Sequence, residues 1–185
     1  MKTRILCLGN ELVRDDGVGI RVGRILASLD LPDDVRVEFT PQLGFDLLEA
    51  VQGAERLILV DAMHTGRSPG TCITLEGTAI ERYAAGAAVS HTVGIAELIE
   101  VAQRLAPERE PASIVFVGVE GQSFDQYGIE LTPAVRQAIP EAVAHVLHAI
   151  AAREALLAQG KSASAQYLEP ELATILLENP RPGRY

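Results

Sequence analysis

The sequence predicts an α/β fold: a three-layer α/β/α sandwich whose mostly parallel five-stranded sheet has one antiparallel edge strand and helices on both faces. Two observations lead to this prediction. Short β-rich runs alternate along the chain with amphipathic helical patterns, which is typical of folds in which helices connect parallel strands. The runs LILV and IVFV are apolar on both faces, as expected of strands that helices cover from both sides.

Five strands are predicted from the β-rich runs. In chain order they lie at 4–10, 35–41, 56–62, 71–77 and 113–121. The segment between the third and fourth, MHTGRSPG, is too short to hold a crossover helix. We therefore expect the fourth strand to run antiparallel to the third, either as its hairpin partner or as an edge strand.

Helices are predicted between and after these strands. They lie at about 17–29, 44–52 and 91–105, and from Pro133 onward. Thr132 followed by Pro133 is a typical helix start, with a capping hydroxyl before a proline in the first turn. Pro140, inside the last helical pattern, is expected to kink that helix or to split it in two.

One domain is expected over residues 1–160, because a chain of 185 residues can bury one substantial core. Residues 161–185 form a C-terminal extension. It begins with small polar residues and ends in PRPGRY, which has no helical potential. We expect this extension to be partly ordered at best.

The composition argues against two classes of partner, nucleic acids and membranes. The formal net charge is −9, whereas binding to a nucleic-acid backbone requires clustered lysine and arginine. No apolar run reaches the roughly 20 residues of a membrane helix, and the first residues contain no signal-peptide cleavage site. We expect a cytoplasmic monomer that binds neither nucleic acid nor a membrane, with Cys7 and Cys72 as reduced, buried thiols inside strands.

Two aspartates are predicted to meet at one edge of the sheet. Asp16 follows the first strand, and Asp61 ends the third strand in LILVDAMH. In the common strand order 2-1-3 these strands are neighbours, so both carboxylates project at the edge where ligands bind in such folds. His91 opens a later helix and converges on the same edge. These three residues are the candidate site.

Two kinds of chemistry suit this set of side chains. Two carboxylates and an imidazole can hold a first-row divalent metal with open positions. Alternatively, the two carboxylates share a proton and activate a water molecule. Asp15 is assigned the ordinary role of an aspartate at a helix start, which is to cap it. His64, in a turn, and His145 and His148, on the last helix, are left outside the site.

The turn before the first helix is unsuited to a phosphate. Its glycines are Gly9, Gly17 and Gly19, which do not follow the GxGxxG spacing of dinucleotide sites. A phosphate at a helix start needs backbone N–H groups and no competing anion, whereas Asp15 and Asp16 would repel it. A cation or a neutral peptide fits this turn better.

Four stretches of the chain together resemble one family. In order they are ILCLGNELVRDDGVGIRV, LILVDAMHTGRSPGT, SHTVGIAELI and VGVEGQSFDQYGIELTPAVRQAIPEAV. On these motifs, residues 3–150 resemble the NiFe-hydrogenase maturation endopeptidases, which remove a C-terminal peptide from the hydrogenase large subunit. The resemblance implies that the partner is a large-subunit precursor, cut in the last step of its maturation.

The resemblance also implies roles for the site residues. Asp16, Asp61 and His91 contact a metal, and this nickel belongs to the substrate. Asp16 and Asp61 are then the catalytic residues, which position or activate the attacking water. Gly17 and Gly19 allow the substrate strand close to the backbone.

The sequence also bears on other mechanisms and on one alternative function. The chain shows no Ser-His-Asp or Cys-His set and no HExxH helix, which disfavours acyl-enzyme and zincin mechanisms. The alternative function is a non-catalytic binding module on a flavodoxin-like fold. In that case the carboxylates would sense a metal or a small cation.

Overall fold

The computed structural model describes residues 2–40, 54–80, 104, 111 and 113–159. Within these ranges five strands form one sheet. The strands are β1 (Thr3–Leu8), β2 (Val35–Thr40), β3 (Arg56–Met63), β4 (Cys72–Glu76) and β5 (Ser113–Glu120). Their spatial order is β2-β1-β3-β5-β4, so the predicted α/β class and the 2-1-3 order are confirmed.

Strand β4 is an antiparallel edge strand, as predicted, but it pairs with β5 and not with β3. Strands β1, β2, β3 and β5 are parallel, and β4 pairs with β5 in the antiparallel sense. The predicted alternative of a hairpin formed by β3 and β4 is wrong, because β5 lies between these two strands. Most of β5 is fully buried, whereas every residue of β4 is partly or largely exposed, so β4 takes the edge. The link from β3 crosses the end of β5, where the Gly70 N–H donates to the Glu120 carbonyl (2.7 Å).

Two helices of the described chain lie against one face of this sheet. A short 3₁₀ turn, Arg14–Gly17, leads into α1 (Val18–Ala27). The long helix α2 spans Pro133–Gln159 and begins at the predicted residue. Both helices pack on the sheet through one apolar cluster that is built from alternate residues of the strands.

Helix α2 continues through Pro140, so the predicted split into two helices is wrong. Proline removes a single N–H donor from the helix. The residues on both sides of it, Ala138 and Ala142, stay buried in the apolar cluster, which holds the two halves in line with the core. The alternative, a kink at Pro140, stays a prediction.

The opposite face of the sheet is buried as well. Its central side chains are at most 3% exposed, whereas Ile73, Leu75 and Ile114 towards the β4 edge are only partly buried; the central ones are Leu6, Leu8, Leu57, Leu59, Met63 and Phe116. Alternation along β3 places Asp61 on this face, between Leu59 and Met63. Burial on both faces is what the predicted sandwich requires.

Several predictions fall on residues that are not described. They are the helix at 44–52, all of the helix at 91–105 except Arg104, which is helical, and the extension at 161–185. In the described ranges no helix is both long enough and apolar enough to span a membrane.

The two cysteines are free thiols, as predicted. Cys7 is fully buried in β1, whereas Cys72 at the start of β4 is only half-buried, because β4 lies at the sheet edge. Burial raises the pKa of both thiols to about 12, and the negative charge of Glu141 adds to the rise at Cys72. Both therefore stay protonated at neutral pH.

Candidate active site

Asp16 is held in the turn that joins β1 to α1. The turn closes through backbone hydrogen bonds from Val13 to the Asn10 carbonyl and from Asp16 to the Val13 carbonyl, both 3.0 Å. The Asn10 N–H also donates to Oδ2 of the Asp16 side chain (2.9 Å). Because the turn fixes both the backbone and one oxygen of Asp16, its carboxylate has a defined position beyond the carboxyl end of β1.

Glycines let this turn pack tightly against the sheet. Gly9 has a φ of +125°, and a Cβ there would lie 1.9 Å from the Asp16 carbonyl oxygen. A Cβ at Gly19 would lie 2.5 Å from the Val60 carbonyl oxygen, so α1 starts in direct contact with β3. A Cβ at Gly17 would lie 2.9 Å from Cα of Glu11, so both glycines are needed for the protein's own packing; their predicted role in admitting a substrate strand stays a prediction.

Asp61 lies within β3, two residues before the strand ends, and is 1% exposed. Its Oδ1 accepts a hydrogen bond from the Ala62 N–H (2.8 Å), whereas Oδ2 has no hydrogen-bond partner among the described residues. Burial raises the pKa of Asp61 to about 8; the charge of Asp16 adds to the rise, and the Ala62 N–H opposes it. The carboxyl group is therefore mostly protonated at neutral pH.

Two of the three predicted site residues meet. Strands β1 and β3 are adjacent, and Asp16 lies close enough to Asp61 to contribute to its raised pKa. His91 lies outside the described residues. Among the residues that are described, no group of three His, Cys, Asp or Glu side chains is arranged to hold a metal ion. The two aspartates stand as a pair, and their ligand and catalytic roles stay predictions.

Asp15 does not cap the helix start, so the prediction for it is wrong. Its buried Oδ2 accepts hydrogen bonds from the N–H groups of Gln122 and Ser123 (3.0 and 3.1 Å) and from the Thr132 hydroxyl (3.0 Å). Its Oδ1 accepts from the Thr132 N–H (2.7 Å). Both the backbone and the hydroxyl of Thr132 therefore donate to Asp15. Asp15 ties the start of α1 to the loop between β5 and α2.

Sequence analysis missed Glu120, another buried carboxylate, at the end of β5. The register of β3 and β5 places it on the same face of the sheet as Asp61. Its Oε1 accepts from the N–H groups of Thr65 (2.6 Å) and Gly66 (2.9 Å), and its Oε2 accepts from the Thr65 hydroxyl (2.7 Å). Glu120 thereby fixes the loop that follows β3. Glu120 could have been found in the sequence, because it is an acidic residue that follows an apolar β-rich run, as Asp61 does.

Two histidines that were left outside the site have other contacts. His64, exposed on the loop after β3, stacks on Phe124 with ring centroids 5.3 Å apart and planes inclined by 17°. Nδ1 of His145 on α2 lies 2.8 Å from the Thr74 hydroxyl on β4, and burial lowers the pKa of this imidazole. Neither contact involves Asp16 or Asp61.

The sequence of this chain is similar to those of known hydrogenase maturation proteins. The family model described as hydrogenase maturation protease matches residues 30–149. The hydrogenase expression/formation protein HupD of Rhodobacter capsulatus is 30% identical, over 97% of this chain and 85% of that protein. The hydrogenase 2 maturation protease of Escherichia coli is also 30% identical, over 81% of this chain and 91% of that protein.

Solved structures give the same result. The hydrogenase maturating endopeptidase HybD of E. coli has a TM-score of 0.73 at 28% identity, over 84% of this chain and 94% of that chain. The NiFe-hydrogenase maturation protease HybD of Thermococcus kodakarensis has a TM-score of 0.69 at 29% identity, over 82% and 99%. These similarities do not favour the alternative of a non-catalytic cation sensor. The chain belongs to the hydrogenase maturation protease family.

Proposed function

We propose that this protein is an endopeptidase that makes one cut in a nickel-loaded NiFe-hydrogenase large-subunit precursor and releases its C-terminal peptide. Family membership and the relatives that are named maturation proteases support the proposal. The cut is the last step in the maturation of the precursor. We further propose that the protein acts as a monomer in the cytoplasm.

One observation supports the assignment of Asp16 and Asp61 most directly: Oδ2 of Asp61 has no donor within the described ranges. Buried carboxylate oxygens nearly always accept a hydrogen bond. Here a second carboxylate lies nearby instead, and it contributes to the raised pKa of Asp61. Such an arrangement reduces the stability of the folded protein, which is typical of residues that are retained for function.

The nickel in this reaction is part of the substrate. We assign Asp16, Asp61 and His91 as its contacts on the protease. Carboxylate oxygens and imidazole nitrogens are suitable ligands for a first-row divalent ion. Oδ2 of Asp61, which has no hydrogen-bond partner in the described ranges, offers one such ligand atom. Contact with the nickel would make cleavage depend on whether the precursor has been loaded.

Hydrolysis of a peptide bond requires one proton to leave the water and one to reach the leaving nitrogen. In an acid–base role, Asp16 accepts the water proton as the water oxygen bonds to the scissile carbonyl carbon. Asp61, protonated at neutral pH, then donates its proton to the nitrogen as the C–N bond breaks. Asp61 subsequently regains the proton held by Asp16.

Direct nickel contact makes the opposite demand on Asp61, because a metal ligand must be ionised. The two roles therefore differ in their pH dependence. Cleavage falls as the pH rises through about 8 if Asp61 is the acid, and it increases over the same interval if Asp61 is a nickel contact. A pH profile of single-turnover cleavage of the loaded precursor distinguishes them.

The proposed function is tested with purified precursor in nickel-loaded and nickel-free forms. We expect the intact mass of the loaded precursor to fall by one C-terminal peptide after incubation with the protein, and the nickel-free precursor to stay unchanged. Mature large subunit, which lacks the peptide, is the matched control and should keep its mass. If the loaded precursor also keeps its mass, the protein is not its endopeptidase.

A further inference from the structure

Large apolar side chains are exposed at one place near the candidate site. In the described part of the chain four are markedly exposed: Leu12, Phe39, Tyr127 and Ile129. Three of them, Leu12 (61%), Tyr127 (90%) and Ile129 (58%), lie on two loops that touch each other. We name these three residues the apolar rim. Single exposed apolar residues are common, but a group of them marks a binding surface.

Backbone pairing holds the two loops of the rim together. The Gly128 N–H donates to the Leu12 carbonyl (2.9 Å), and the Arg14 N–H donates to the Gly128 carbonyl (2.8 Å). These bonds form a parallel bridge between Val13 and Gly128. Leu12, Tyr127 and Ile129 are the residues next to this bridge, so hydrogen bonds hold their backbone positions together.

The loop that carries Tyr127 and Ile129 is fixed to the rest of the protein. Asp15 binds the N–H groups at both of its ends, at Gln122 and Ser123 and at Thr132. The Arg21 guanidinium donates to the Ile129 carbonyl (3.0 Å). Because the backbone is already fixed, a partner that covers these side chains does not also have to order the loop, which favours binding.

The rim begins in the turn that holds Asp16. Leu12 lies in the same turn as Asp16, whose N–H donates to the carbonyl of Val13, the residue next to Leu12 (3.0 Å). In this turn Asp15 and Asp16 are buried, whereas Leu12 is a largely exposed apolar side chain.

We infer that the apolar rim docks the hydrogenase large-subunit precursor through an apolar segment close to its scissile bond. This inference rests on the proposed function, because it takes the precursor as the polypeptide that is cut beside Asp16. An enzyme that makes a single cut gains selectivity by holding its substrate beside the reacting bond, and in the described part of the chain the rim is an exposed apolar surface that begins in the turn of Asp16. The binding energy comes from burying three large side chains that water now covers.

The test compares the cleavage kinetics of full-length variants on the nickel-loaded precursor. Tyr127→Ser and the double change Tyr127→Ser with Ile129→Ser remove exposed apolar area without touching the hydrogen bonds of the loop. We expect KM to increase about tenfold for the double variant and less for the single one, with kcat unchanged. Phe39→Ser, at an exposed apolar residue on β2, is the matched control and should keep the wild-type KM.

Failure of the inference is distinguishable from failure of the proposed function. If the wild-type protein does not cut the loaded precursor, the proposed function is wrong and the inference falls with it. If the wild-type protein cuts it and the rim variants keep the wild-type KM, the rim is not the docking surface although the protease function stands. A rim variant that instead converts a wild-type dimer into a monomer, with KM unchanged, would assign the rim to a second copy of the chain and overturn the inference.

Discussion

Asp15 and Asp61 are both buried carboxylates at the same edge of the sheet, yet their surroundings differ. Asp15 accepts four hydrogen bonds, which come from three residues of the loop between β5 and α2. Asp61 accepts one, from the N–H of the next residue, and its Oδ2 has no partner in the described ranges. Asp15 therefore joins two parts of the fold, while Asp61 joins none.

This difference separates a carboxylate that stabilises the fold from one that we propose serves the reaction. A buried carboxylate with several donors stabilises the structure around it, whereas one that lacks donors is destabilising and raises its own pKa. Asp16, next to Asp15 in the sequence, belongs with Asp61, because its charge contributes to the raised pKa of that residue. Asp15 and Asp16 are neighbours in the chain but have different surroundings, whereas Asp16, in the turn before α1, lies close to Asp61 of β3.

The largest effect is expected at Asp16. Asp16→Asn removes a group that can accept a proton or face a metal, so the single-turnover rate of precursor cleavage should fall about 10³-fold. The free energy of unfolding should change little, since an amide oxygen can still accept from the Asn10 N–H. Asp33→Asn, at an exposed aspartate between α1 and β2, is the control. Equal cleavage by the two variants would remove Asp16 from the reaction.

A pH-dependent effect on stability is expected at Asp61. Its pKa is raised from 3.8 to about 8, so the folded protein keeps a proton that the unfolded chain releases. The stabilisation from this proton is complete below 3.8 and is lost as the pH rises to about 8, at up to about 1.4 kcal/mol per pH unit.

Asp61→Asn has no such proton to lose. Urea unfolding of the protein without nickel, at about pH 5 and about pH 7.5, should therefore give a smaller decrease for Asp61→Asn than for the wild type. The variant should also be the more stable protein at the higher pH. If the free energy of unfolding decreased equally with pH in the two proteins, this would contradict the buried, protonated state of Asp61.

The next effect is expected at Asp15. Asp15→Asn replaces one of two acceptor oxygens by an NH₂ group that faces existing donors, so buried N–H groups lose their partner. The free energy of unfolding should decrease by about 2–4 kcal/mol. Urea unfolding measures this change, and cleavage per folded molecule should decrease far less than in Asp16→Asn. Wild-type stability combined with lost cleavage would reverse the roles of the two adjacent aspartates.

The smallest effect is expected at the loop that Glu120 holds. Thr65→Val removes the hydroxyl that donates to Oε2 of Glu120 and leaves the two backbone donors in place. The free energy of unfolding should decrease by about 1 kcal/mol. Thr65→Ser, which keeps the hydroxyl, is the control and should lose clearly less stability. If the two variants were equally stable, the hydroxyl would contribute nothing.

The sheet and the aspartate pair could be predicted because they depend on local patterns and one topological rule. Apolar runs located the strands, and the 2-1-3 order placed the ends of β1 and β3 side by side, which brought Asp16 and Asp61 together. The partner of β4 could not be derived in this way. It depends on whether β4 or β5 gains more from a buried central position, which is a property of the whole sheet.

The role of Asp15 could not be predicted because its partners are far away in the chain. Gln122, Ser123 and Thr132 lie 107, 108 and 117 residues from it, and no periodic pattern links them. A local rule therefore assigned Asp15 to the nearest helix. The close packing of Gly19 could not be predicted either, because a Cβ there would meet the carbonyls of Leu8 and Val60 (2.2 and 2.5 Å), on two strands that only the fold brings together.

The central claim is that Asp61 serves the reaction whereas Asp15 serves the fold. It is tested most directly by the intact mass of nickel-loaded large-subunit precursor after incubation with Asp61→Asn that is shown to be folded. The account predicts that the precursor keeps its C-terminal peptide, although the variant is as stable as the wild type or more so at neutral pH. Release of the peptide at the wild-type rate would contradict the account.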